Sequence, residues 1–485
     1  MRLVPNAIRF TAAAAGLSTS MALGLAQPAT AMPTRTSVPT VLALGQAARQ
    51  DVPPAPGSEP DTLVEPDIAA SPADPRIAVT VAHDGRYSDG GAVGITHAWS
   101  RDGGLTWRHA PVPYLTTAAG GVWDRASDPV LAFGPAGDVY LSTLAFNSSA
   151  TDCRSVVLVS RSVDGGATFG NPSVAQSTND CNIFNDKNWL AVDTGVRSPH
   201  RGRIYQFWSY FDGDFAQQRV RWSDNRGRTW SDAAVITPGA TADTQGSQAL
   251  IRPDGSITDV YLDFTGTGRK PDRERESAEF SAAAPPAAPG VPLRARTSHD
   301  GGRSWSAAVT LATDVGGDVP GVRCCLPSAV ADPVSGRMHA VWSSTDLSLL
   351  RASSSMDGVH WSTPVTVDTE RTSTTQVVNA DVVAYAGKVL VSYGLRDAAV
   401  ADGRFVQQQV AVSSNAGHSF TTRLPLGPPS DLQYAAQAGG AFPGDYIGTA
   451  VSCGRFYAAW AVSSTPPTGS TYHQVLYAAA IGLRQ

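Results

Sequence analysis

The sequence predicts an all-β chain that folds as a seven-bladed β-propeller of four-stranded antiparallel blades. A short turn motif recurs six times at an interval of about 60 residues, and an apolar segment with the pattern of a first strand recurs seven times. One such repeat cannot bury both faces of its sheet, so successive repeats must stack around an axis. The 46 glycines and 34 prolines of the 485-residue chain fit a protein with many turns.

The turn motif is Ser, any residue, Asp or Asn, any residue, Gly, any residue, a hydroxyl residue or His, and then Trp or Phe. It reads SRDGGLTW at 100–107, SVDGGATF at 162–169, SDNRGRTW at 223–230, SHDGGRSW at 298–305, SMDGVHW at 355–361 (one residue shorter) and SSNAGHSF at 413–420. The acid or amide accepts backbone N–H groups, the glycine tolerates positive φ, and the aromatic ring enters an apolar layer. We therefore assign the acids of the motif to structure and not to catalysis: Asp102, Asp164, Asp300 and Asp357.

Four strands per repeat follow from the segments around each turn. The first strands read EPDIAAS from Glu65, SDPVLAF from Ser127, DKNWLAV from Asp186, GSQALIR from Gly246, LPSAVAD from Leu326, NADVVAY from Asn379 and GDYIGTA from Gly444. A second strand begins at a turn glycine, a third alternates and leads into the turn, and a short fourth follows the turn. The seventh repeat lacks the turn and the fourth strand, so we predict that residues 39–45 supply this outer strand and close the ring.

The first 31 residues have the pattern of an export signal. Arg2 and Arg9 precede a stretch of small, apolar residues at 11–26, and residues 29–31 have the small-x-small pattern of a cleavage site. Residues 32–58 are predicted as a linker that includes the closing strand, and 59–485 as a single propeller domain in which 265–290 is a mobile insertion. The protein is thus expected to be secreted and monomeric, with no segment inserted in a membrane.

The charge of the chain restricts its possible binding partners, and its cysteines indicate possible disulfides. Only 16% of the residues are charged and the formal net charge is −5, which argues against nucleic acid and against an anionic membrane surface. Cys153 and Cys181 fall in loops of one repeat and favour a disulfide. Cys324 and Cys325 fit either a vicinal disulfide or two buried thiols, with Cys453 left over. No spacing resembles a zinc site, and we expect neither a metal nor a cofactor.

A ring of polar residues is expected where the first strands begin, because first strands line the axis of a propeller. Its members are Glu65, Asp67, Asp124, Arg125, Asp128, Asp186, Lys187, Gln245, Gln248, Arg323, Asn379, Asp381, Asp445 and Tyr446, with Arg86, Arg396 and Asp397 in nearby loops. Asp128 and Asp186 are the strongest candidate acids, since each directly precedes a first strand and has a basic neighbour. Tyr446, next to Asp445, is the candidate activated phenol.

Two interpretations of this ring stay open. In the functional one, the ring binds a glycan or glycoconjugate, paired carboxylates perform acid–base or nucleophilic chemistry, and arginines hold an acidic group in bidentate fashion. In the structural one, acids at the strand starts cap backbone N–H groups and pair with arginines inside a wet, polar channel.

The repeated turns resemble the Asp boxes, or BNR repeats, of the sialidase superfamily, and the resemblance covers the first six repeats. VEPDIAASPADPR, DRASDPVLAFGPAGDVYLS, FNDKNWLAVD and GDYIGTAV also look like a group of secreted bacterial proteins known as exo-α-sialidases or BNR-repeat glycosyl hydrolases. The resemblance implies an arginine triad that grips a substrate carboxylate, an Asp acid/base and a Tyr nucleophile assisted by Glu. Carried onto this chain, it implies Arg125, Arg323 and Arg396 for the triad, Asp128 or Asp67 for the acid/base, and Tyr446 for the nucleophile.

The leading hypothesis is therefore a secreted, sialidase-like glycoside hydrolase that acts on acidic sugars in a central pocket. Its expected site residues are Asp67, Asp128, Asp186 and Tyr446 for catalysis, and Glu65, Arg125, Lys187, Gln248, Arg323, Asp381, Arg396 and Asp445 for substrate binding. The Phe/Tyr-Arg-Ile/Leu-Pro motif that carries the first triad arginine of sialidases is absent, which favours a non-catalytic glycan- or protein-binding propeller as the alternative. A polysaccharide lyase is the third hypothesis.

Overall fold

The computed structural model describes residues 38–148, 152–213, 215–268, 271, 290–316, 318–319, 321–467 and 469–484. They belong to one compact unit, residues 35–485. The export signal predicted at 1–31 lies outside the described residues, as does most of the insertion predicted at 265–290. Within the described ranges, no helix is both long and apolar enough to cross a bilayer.

The described chain consists of β-strands joined by short connections, with 3-10 turns at Thr117–Ala119, Ala401–Gly403 and Leu432–Tyr434. After β1 (Val38–Ala48), the first sheet holds β2 (Leu63–Ala70), β3 (Ala78–Arg86), β4 (Ala92–Ser100) and β5 (Arg108–Pro111). The second holds β6 (Arg125–Phe133), β7 (Val139–Phe146), β8 (Ser155–Ser162) and β9 (Ser173–Thr178), and the third β10 (Ile183–Val192), β11 (Ile204–Asp212), β12 (Phe215–Ser223) and β13 (Ala234–Val235). The fourth holds β14 (Thr244–Ile251), β15 (Ile257–Asp263), β16 (Val291–Ser298) and β17 (Val309–Val315).

The second half of the chain continues the pattern after two short strands, β18 (Asp318–Val319) and β19 (Val322–Arg323). The fifth sheet holds β20 (Ser328–Ala331), β21 (Met338–Ser343), β22 (Leu350–Ser355) and β23 (Val365–Thr366), and the sixth β24 (Thr375–Tyr385), β25 (Lys388–Asp397), β26 (Phe405–Ser413) and β27 (Thr422–Asp431). Two more short strands, β28 (Ala436–Gln437) and β29 (Ala441–Phe442), precede the last sheet, to which the chain contributes β30 (Gly448–Ser452), β31 (Arg455–Ser463) and β32 (Gln474–Arg484).

In these sheets each strand pairs antiparallel with the next one along the chain, and a single residue pair, Ala92 with Ala126, bridges the first and second sheets. The prediction of an all-β chain of four-stranded antiparallel sheets is confirmed. The first strands also contact one another in a cycle that runs β2, β6, β10, β14, β20, β24, β30 and back to β2. They therefore surround a common axis.

The apolar cores lie between neighbouring sheets. Val79 and Ile95 of the first sheet pack with Leu131 and Leu141 of the second. Ile68 of the first sheet packs in the same way with the last sheet. Strands buried on both faces explain why the first and second strands read as runs of β-branched and aromatic residues.

The repeated turns are held by a recurring set of hydrogen bonds. In the fourth sheet the Ser298 hydroxyl donates to Asp300 Oδ1 at 2.9 Å and accepts the Gly302 N–H at 2.9 Å. Asp300 Oδ1 in turn accepts the N–H of Ser304 at 3.0 Å. Burial acts to raise the pKa of Asp300, but hydrogen bonds from Ser304 and Ser298 outweigh it and hold this pKa at about 2. The carboxylate is thus committed to the turn.

The two ends of the described chain meet in the last sheet. β1 pairs antiparallel with β32, from Val38 opposite Arg484 to Ala48 opposite Leu476, and takes the outer position in the order β1-β32-β31-β30. The prediction that an N-terminal strand joins the last sheet is confirmed. Its pairing covers an edge that β32 would otherwise expose.

One further sheet was not predicted. β18, β19, β29 and β28 form a small four-stranded sheet in which β19 and β29 run parallel, with Val322 opposite Ala441. Phe442, Ala436 and Ala438 of this segment pack on Val64, near the start of β2. The small sheet therefore covers the end of the first sheet at which β2 begins.

The cysteines form two disulfides. Cys153 is bonded to Cys181, as the sequence favours, and Cys324 is bonded to Cys325, which decides between the two alternatives left open for that pair. Cys453 is a free, exposed thiol. The vicinal disulfide follows β19, and Cys325 Sγ accepts the N–H of Asn379 at 3.2 Å, so it ties the small sheet to the sixth sheet.

Candidate functional site

Five first strands carry a β-bulge in the same place, close to their N-terminal ends. The pairing register shifts between Val64 and Asp67, Ser127 and Val130, Asp186 and Trp189, Gln245 and Gln248, and Val378 and Ala380. In each bulge one residue has a positive φ: Glu65 at 52°, Asp128 at 48°, Lys187 at 43°, Gly246 at 80° and Asn379 at 50°. Bulges of this kind re-aim side chains and are frequent beside active sites, and non-glycine residues with positive φ are uncommon elsewhere.

These bulges correct one detail of the sequence prediction. Asp128 and Asp186 do not precede their first strands but lie within β6 and β10. Both are buried. Asp186 Oδ1 accepts the backbone N–H of Lys187 at 2.8 Å and so supports the bulge that orients Lys187.

Glu65, His83, Asp128, Lys187 and Tyr446 form the central cluster. Glu65 Oε2 lies 3.0 Å from His83 Nε2, and the backbone N–H of Asp128 donates to the same nitrogen at 2.8 Å. All five residues are buried. Adjacent sheets thus bring carboxylates, an imidazole, an ammonium and a phenol to one place.

Tyr446 is the residue around which the charges gather. Its hydroxyl donates to the carbonyl of Pro129 at 3.5 Å, and Lys187 Nζ lies 3.5 Å from the centre of its ring. Burial, followed by the carboxylates of Glu65 and Asp128, raises the pKa of Tyr446 well above its usual value. Lys187 Nζ has no hydrogen-bond acceptor among the described residues, and the ring of Tyr446 is one of two aromatic rings that it contacts, the other being that of Trp189 at 5.6 Å.

Two further predicted acids carry raised pKa values. Burial raises the pKa of Asp67 to about 7, although the N–H of Leu131 donates to its Oδ2 at 2.7 Å. Burial likewise raises the pKa of Asp381 to about 6, against hydrogen bonds from Ser328 and Thr449. Asp67 therefore holds a proton near neutral pH, which is what a general acid requires.

Glu65, His83 and Asp128 also have the donor types of a metal site, since one ligand atom of each lies within 4.8 Å of the others. The lone pair of His83 Nε2, however, already accepts the N–H of Asp128. The ammonium of Lys187 adds a positive charge on the adjacent Tyr446 ring. The three residues fit a hydrogen-bonded acid–base group better than a cation site.

Asp445 and Gln248 lie at the border of the cluster. The N–H of Asp445 donates to Glu65 Oε1 at 3.2 Å, which fixes the start of the last sheet against the first. Gln248 is buried at the bulge of β14.

The three arginines predicted as a triad lie against different neighbours. Arg125 pairs with Asp89 at 2.7 Å and stacks on Tyr87. Arg323 Nη2 lies 3.6 Å from Asp445 Oδ2, beside the cluster. The Arg396 Nε–H donates to Gln376 Oε1 at 2.8 Å, and burial lowers the pKa of Arg396 to about 10.

Sequence reasoning missed His83 and Phe442. His83 is opposite Val64 in the β2–β3 pair, near the end of a second strand. A polar residue at the end of a second strand lies beside the start of the first strand, and this position could have identified His83 from the sequence. Phe442 had no such signal, because it belongs to the small sheet. The Arg86 and Arg323 guanidinium carbons lie 4.3 and 5.3 Å from the centre of its ring.

No model of a known protein family matches the chain, and no curated protein matches it. Among solved structures, it is similar to an α-L-arabinofuranosidase of Fusarium graminearum, with a TM-score of 0.49 and 13% identity, over 91% of this chain and 97% of that one. An α-L-arabinanase of Penicillium chrysogenum has a TM-score of 0.48 and 13% identity, over 90% and 98%. The intramolecular trans-sialidase of Ruminococcus gnavus has a TM-score of 0.46 and 13% identity, over 73% and 94%. The similarity to these glycoside hydrolases is distant, so it shows neither the substrate nor the mechanism of this chain.

Proposed function

We propose that this chain is a secreted, sialidase-like glycoside hydrolase that acts on an acidic sugar, with its reacting groups in the central cluster. One observation carries the proposal: a buried phenol lies among carboxylates while a buried ammonium rests on its ring. Phenol, carboxylate and carboxylic acid are the groups that nucleophilic catalysis at an anomeric carbon needs.

The architecture in this proposal is a seven-bladed propeller with six Asp-box turns and an export leader at 1–31. The closed cycle of contacts among the first strands supports the ring, and the repeated hydrogen bonds of the turns support the Asp boxes. The export leader rests on the sequence pattern alone. A closed ring would hold the bulges of neighbouring blades rigidly around one point, which is what a preorganised site requires.

Tyr446 is the proposed nucleophile and Glu65 the base that takes its proton. As the phenol oxygen bonds to the anomeric carbon, the glycosidic C–O bond breaks, and water later releases the sugar from the tyrosine. Lys187 would stabilise negative charge that develops on the ring, because a cation over an aromatic face in a dry site interacts strongly with it.

Asp67 or Asp128 is the proposed acid that protonates the leaving oxygen. Asp67 has the better protonation state, since its pKa of about 7 leaves about half of it protonated at pH 7. Asp128 has the shorter connection to Glu65, through His83.

The sugar's acidic group is assigned to the arginines. Arg323 lies beside the cluster, at Asp445, and is the first contact we propose for a substrate carboxylate. Arg125 and Arg396 would join it only by turning away from Asp89 and Gln376.

A non-catalytic glycan-binding propeller is the second candidate, and the burial of the cluster favours it. Lys187 is 3% and Tyr446 6% exposed, and the small sheet packs over Val64, next to Glu65. A catalytic cluster so buried needs some neighbouring segment to move before substrate enters, whereas a purely structural cluster does not.

The test is a screen of aryl glycosides of acidic sugars, sialosides and uronides included, on the wild type and on Tyr446→Phe. We expect kcat/KM to fall about 10²–10⁴-fold in Tyr446→Phe and Asp128→Asn. Tyr393→Phe is the matched control, because Tyr393 is a fully buried tyrosine of the sixth sheet whose pKa burial also raises.

Three outcomes would contradict the hydrolase. If turnover survives in Tyr446→Phe, Tyr446 is not the nucleophile. If no acidic glycoside is turned over but the protein binds on a glycan array, it is a non-catalytic glycan-binding propeller. Products with the ultraviolet absorbance of an unsaturated sugar would indicate a lyase.

A further inference from the structure

A cleft lies between the second and third sheets, at the end of the strands opposite the central cluster. Its lining consists of residues 134–136, 138, 140, 199–203, 224 and 226, and its cavity volume is about 300 Å³. This is within the range of small-molecule sites. β6 runs from the central cluster at Asp128 to this cleft at Gly134, so the two sites lie on the order of 20 Å apart at ~3.3 Å per residue.

The two carboxylates at the cleft are already neutralised. Arg203 binds Asp224 in bidentate fashion, through Nε at 2.7 Å and Nη2 at 2.9 Å. Asp138 Oδ2 accepts Arg161 Nη2–H at 2.9 Å and the hydroxyl of Tyr140 at 3.2 Å. Neither carboxylate therefore has charge to spare for a further cation.

Two guanidiniums remain without a carboxylate at hydrogen-bond distance. Arg201 donates to the backbone carbonyl of Thr194 at 2.7 Å, and Arg226 Nε lies 4.0 Å from Asp138 Oδ2. Both side chains are exposed at the cleft. The cleft is thus locally positive on a chain whose formal net charge is −5.

The wall beneath these arginines is formed by a buried arginine and a closely packed turn. Arg203 is buried, and its Nη1–H donates to the carbonyl of Gly301, in the turn of the fourth sheet, at 3.2 Å. A Cβ on Gly301 would come within 2.6 Å of His200 Nε2 and 2.7 Å of Arg203 Nη1, so the turn rests directly on both side chains. Burial, with Arg203 and Arg303 adding to it, lowers the pKa of His200, which is consistent with a positive field.

We propose that this cleft binds the carboxylate or sulfate groups of an acidic oligosaccharide through Arg201 and Arg226, at a site separate from the central cluster. A planar guanidinium matches the two oxygens of either anion, and Pro135 and Pro199 supply apolar walls for a sugar ring. The site would hold an acidic glycan on the protein without acting on it, and it does not depend on the central cluster being catalytic.

The test measures binding by calorimetry on the full chain. The probes are an oligogalacturonate, a sulfated oligosaccharide and an uncharged oligosaccharide of equal length, at low and at physiological salt. We expect the wild type to bind one or both charged probes, more weakly as salt rises, and the uncharged probe at least tenfold more weakly. Carboxylated and sulfated probes together show which anion the cleft prefers.

Arg201→Ala/Arg226→Ala should weaken binding of the charged probe at least tenfold. Arg197→Ala/Arg228→Ala is the matched control, because it removes two exposed arginines of the same loops that do not line the cleft. Arg201→Lys/Arg226→Lys keeps the charge and loses the planar fork, so an intermediate affinity is expected. Both arginines are exposed, and an unchanged thermal unfolding midpoint verifies the fold of each variant.

Tyr446→Phe should bind the charged probe as the wild type does. The proposal is overturned if the wild type binds no charged probe, if it binds inorganic sulfate as tightly as the glycan, or if both double alanine variants lose affinity equally. Loss of binding in Tyr446→Phe alone would assign the glycan to the central cluster instead.

Discussion

Glu65, Asp128 and Lys187 hold a backbone conformation that costs on the order of 1–3 kcal/mol per residue and that glycine would adopt without strain. Neighbouring groups keep them there. His83 accepts the N–H of Asp128, and Asp186 accepts the N–H of Lys187. Glycine at these positions would relieve the strain but delete the charge. The retained charges therefore point to a site held at the expense of stability.

Buried carboxyl groups give the protein a pH-dependent stability. Burial raises the pKa values of Asp84 and Asp381 to about 6, of Asp67 to about 7 and of Asp259 to about 8. Since the folded protein binds these protons more tightly than the unfolded chain, the stability they contribute is full below about pH 4 and is lost as the pH rises through 6 to 8. We expect the free energy of unfolding by urea to be lower at pH 8 than at pH 5.

Asp259→Asn isolates one of these groups. Asp259 is fully buried and accepts the Ser247 hydroxyl at 3.1 Å, a hydrogen bond that an amide oxygen can also accept. The variant should be more stable than the wild type at pH 8, by ~2 kcal/mol or more, and should show a flatter profile between about pH 4 and pH 8. Asp232→Asn, at an exposed position, is the control. Equal pH profiles for the two variants would refute this assignment.

At the scale of residues, sequence reasoning found most of the cluster and missed its connections. Glu65, Asp128, Lys187 and Tyr446 could be predicted because each stands at an aligned first-strand start. The positive φ values could not, because a bulge depends on pairing register. The partners of the arginines depend on loop conformation, which no periodic pattern encodes.

At the scale of elements, the buried serine of the repeated turn connects its acid to its glycine. Ser298 is 1% exposed, and its hydroxyl both binds Asp300 and accepts the Gly302 N–H. Ser298→Ala leaves that N–H without its acceptor in a buried place. We expect a loss of about 1–3 kcal/mol in the free energy of unfolding, measured by urea denaturation.

Ser88→Ala, at an exposed loop position, is the control for this substitution and should change stability by less than ~0.5 kcal/mol. Equal stability of Ser298→Ala and Ser88→Ala would mean that the turn is held by its backbone alone.

The elements differ in how far the sequence reveals them. Strands that recur in every repeat could be predicted, since each copy confirms the others. The small sheet could not, because its strands have two residues each and its parallel pair joins Val322 to Ala441, far apart in sequence. That sheet nevertheless carries Arg323 and Phe442, which lie beside the central cluster. The sequence repeats therefore do not reveal these two residues.

At the scale of the whole molecule, β1 completes the last sheet. A chain that begins at Arg49 would lose β1, and with it Ala43 and Ala47, which pack in the core between the last and first sheets, and it would expose the edge of β32. We expect this variant to unfold at a lower temperature than a chain that begins at Val38 and to aggregate with increasing concentration. A peptide of residues 38–48 should restore its unfolding midpoint. Identical midpoints without the peptide would show that β1 is dispensable.

The pairing of β1 with β32 also decides how the protein responds to force. Val38 lies opposite Arg484, so both ends of the described chain leave the sheet from the same end of one antiparallel pair. Pulling the two ends apart loads the hydrogen bonds one at a time, as in a zipper, whereas pulling along the strands would load them together. A protein held by the two ends of the described chain would therefore open first between β1 and β32, at the outer edge of the last sheet and away from β30, beside which Tyr446 lies.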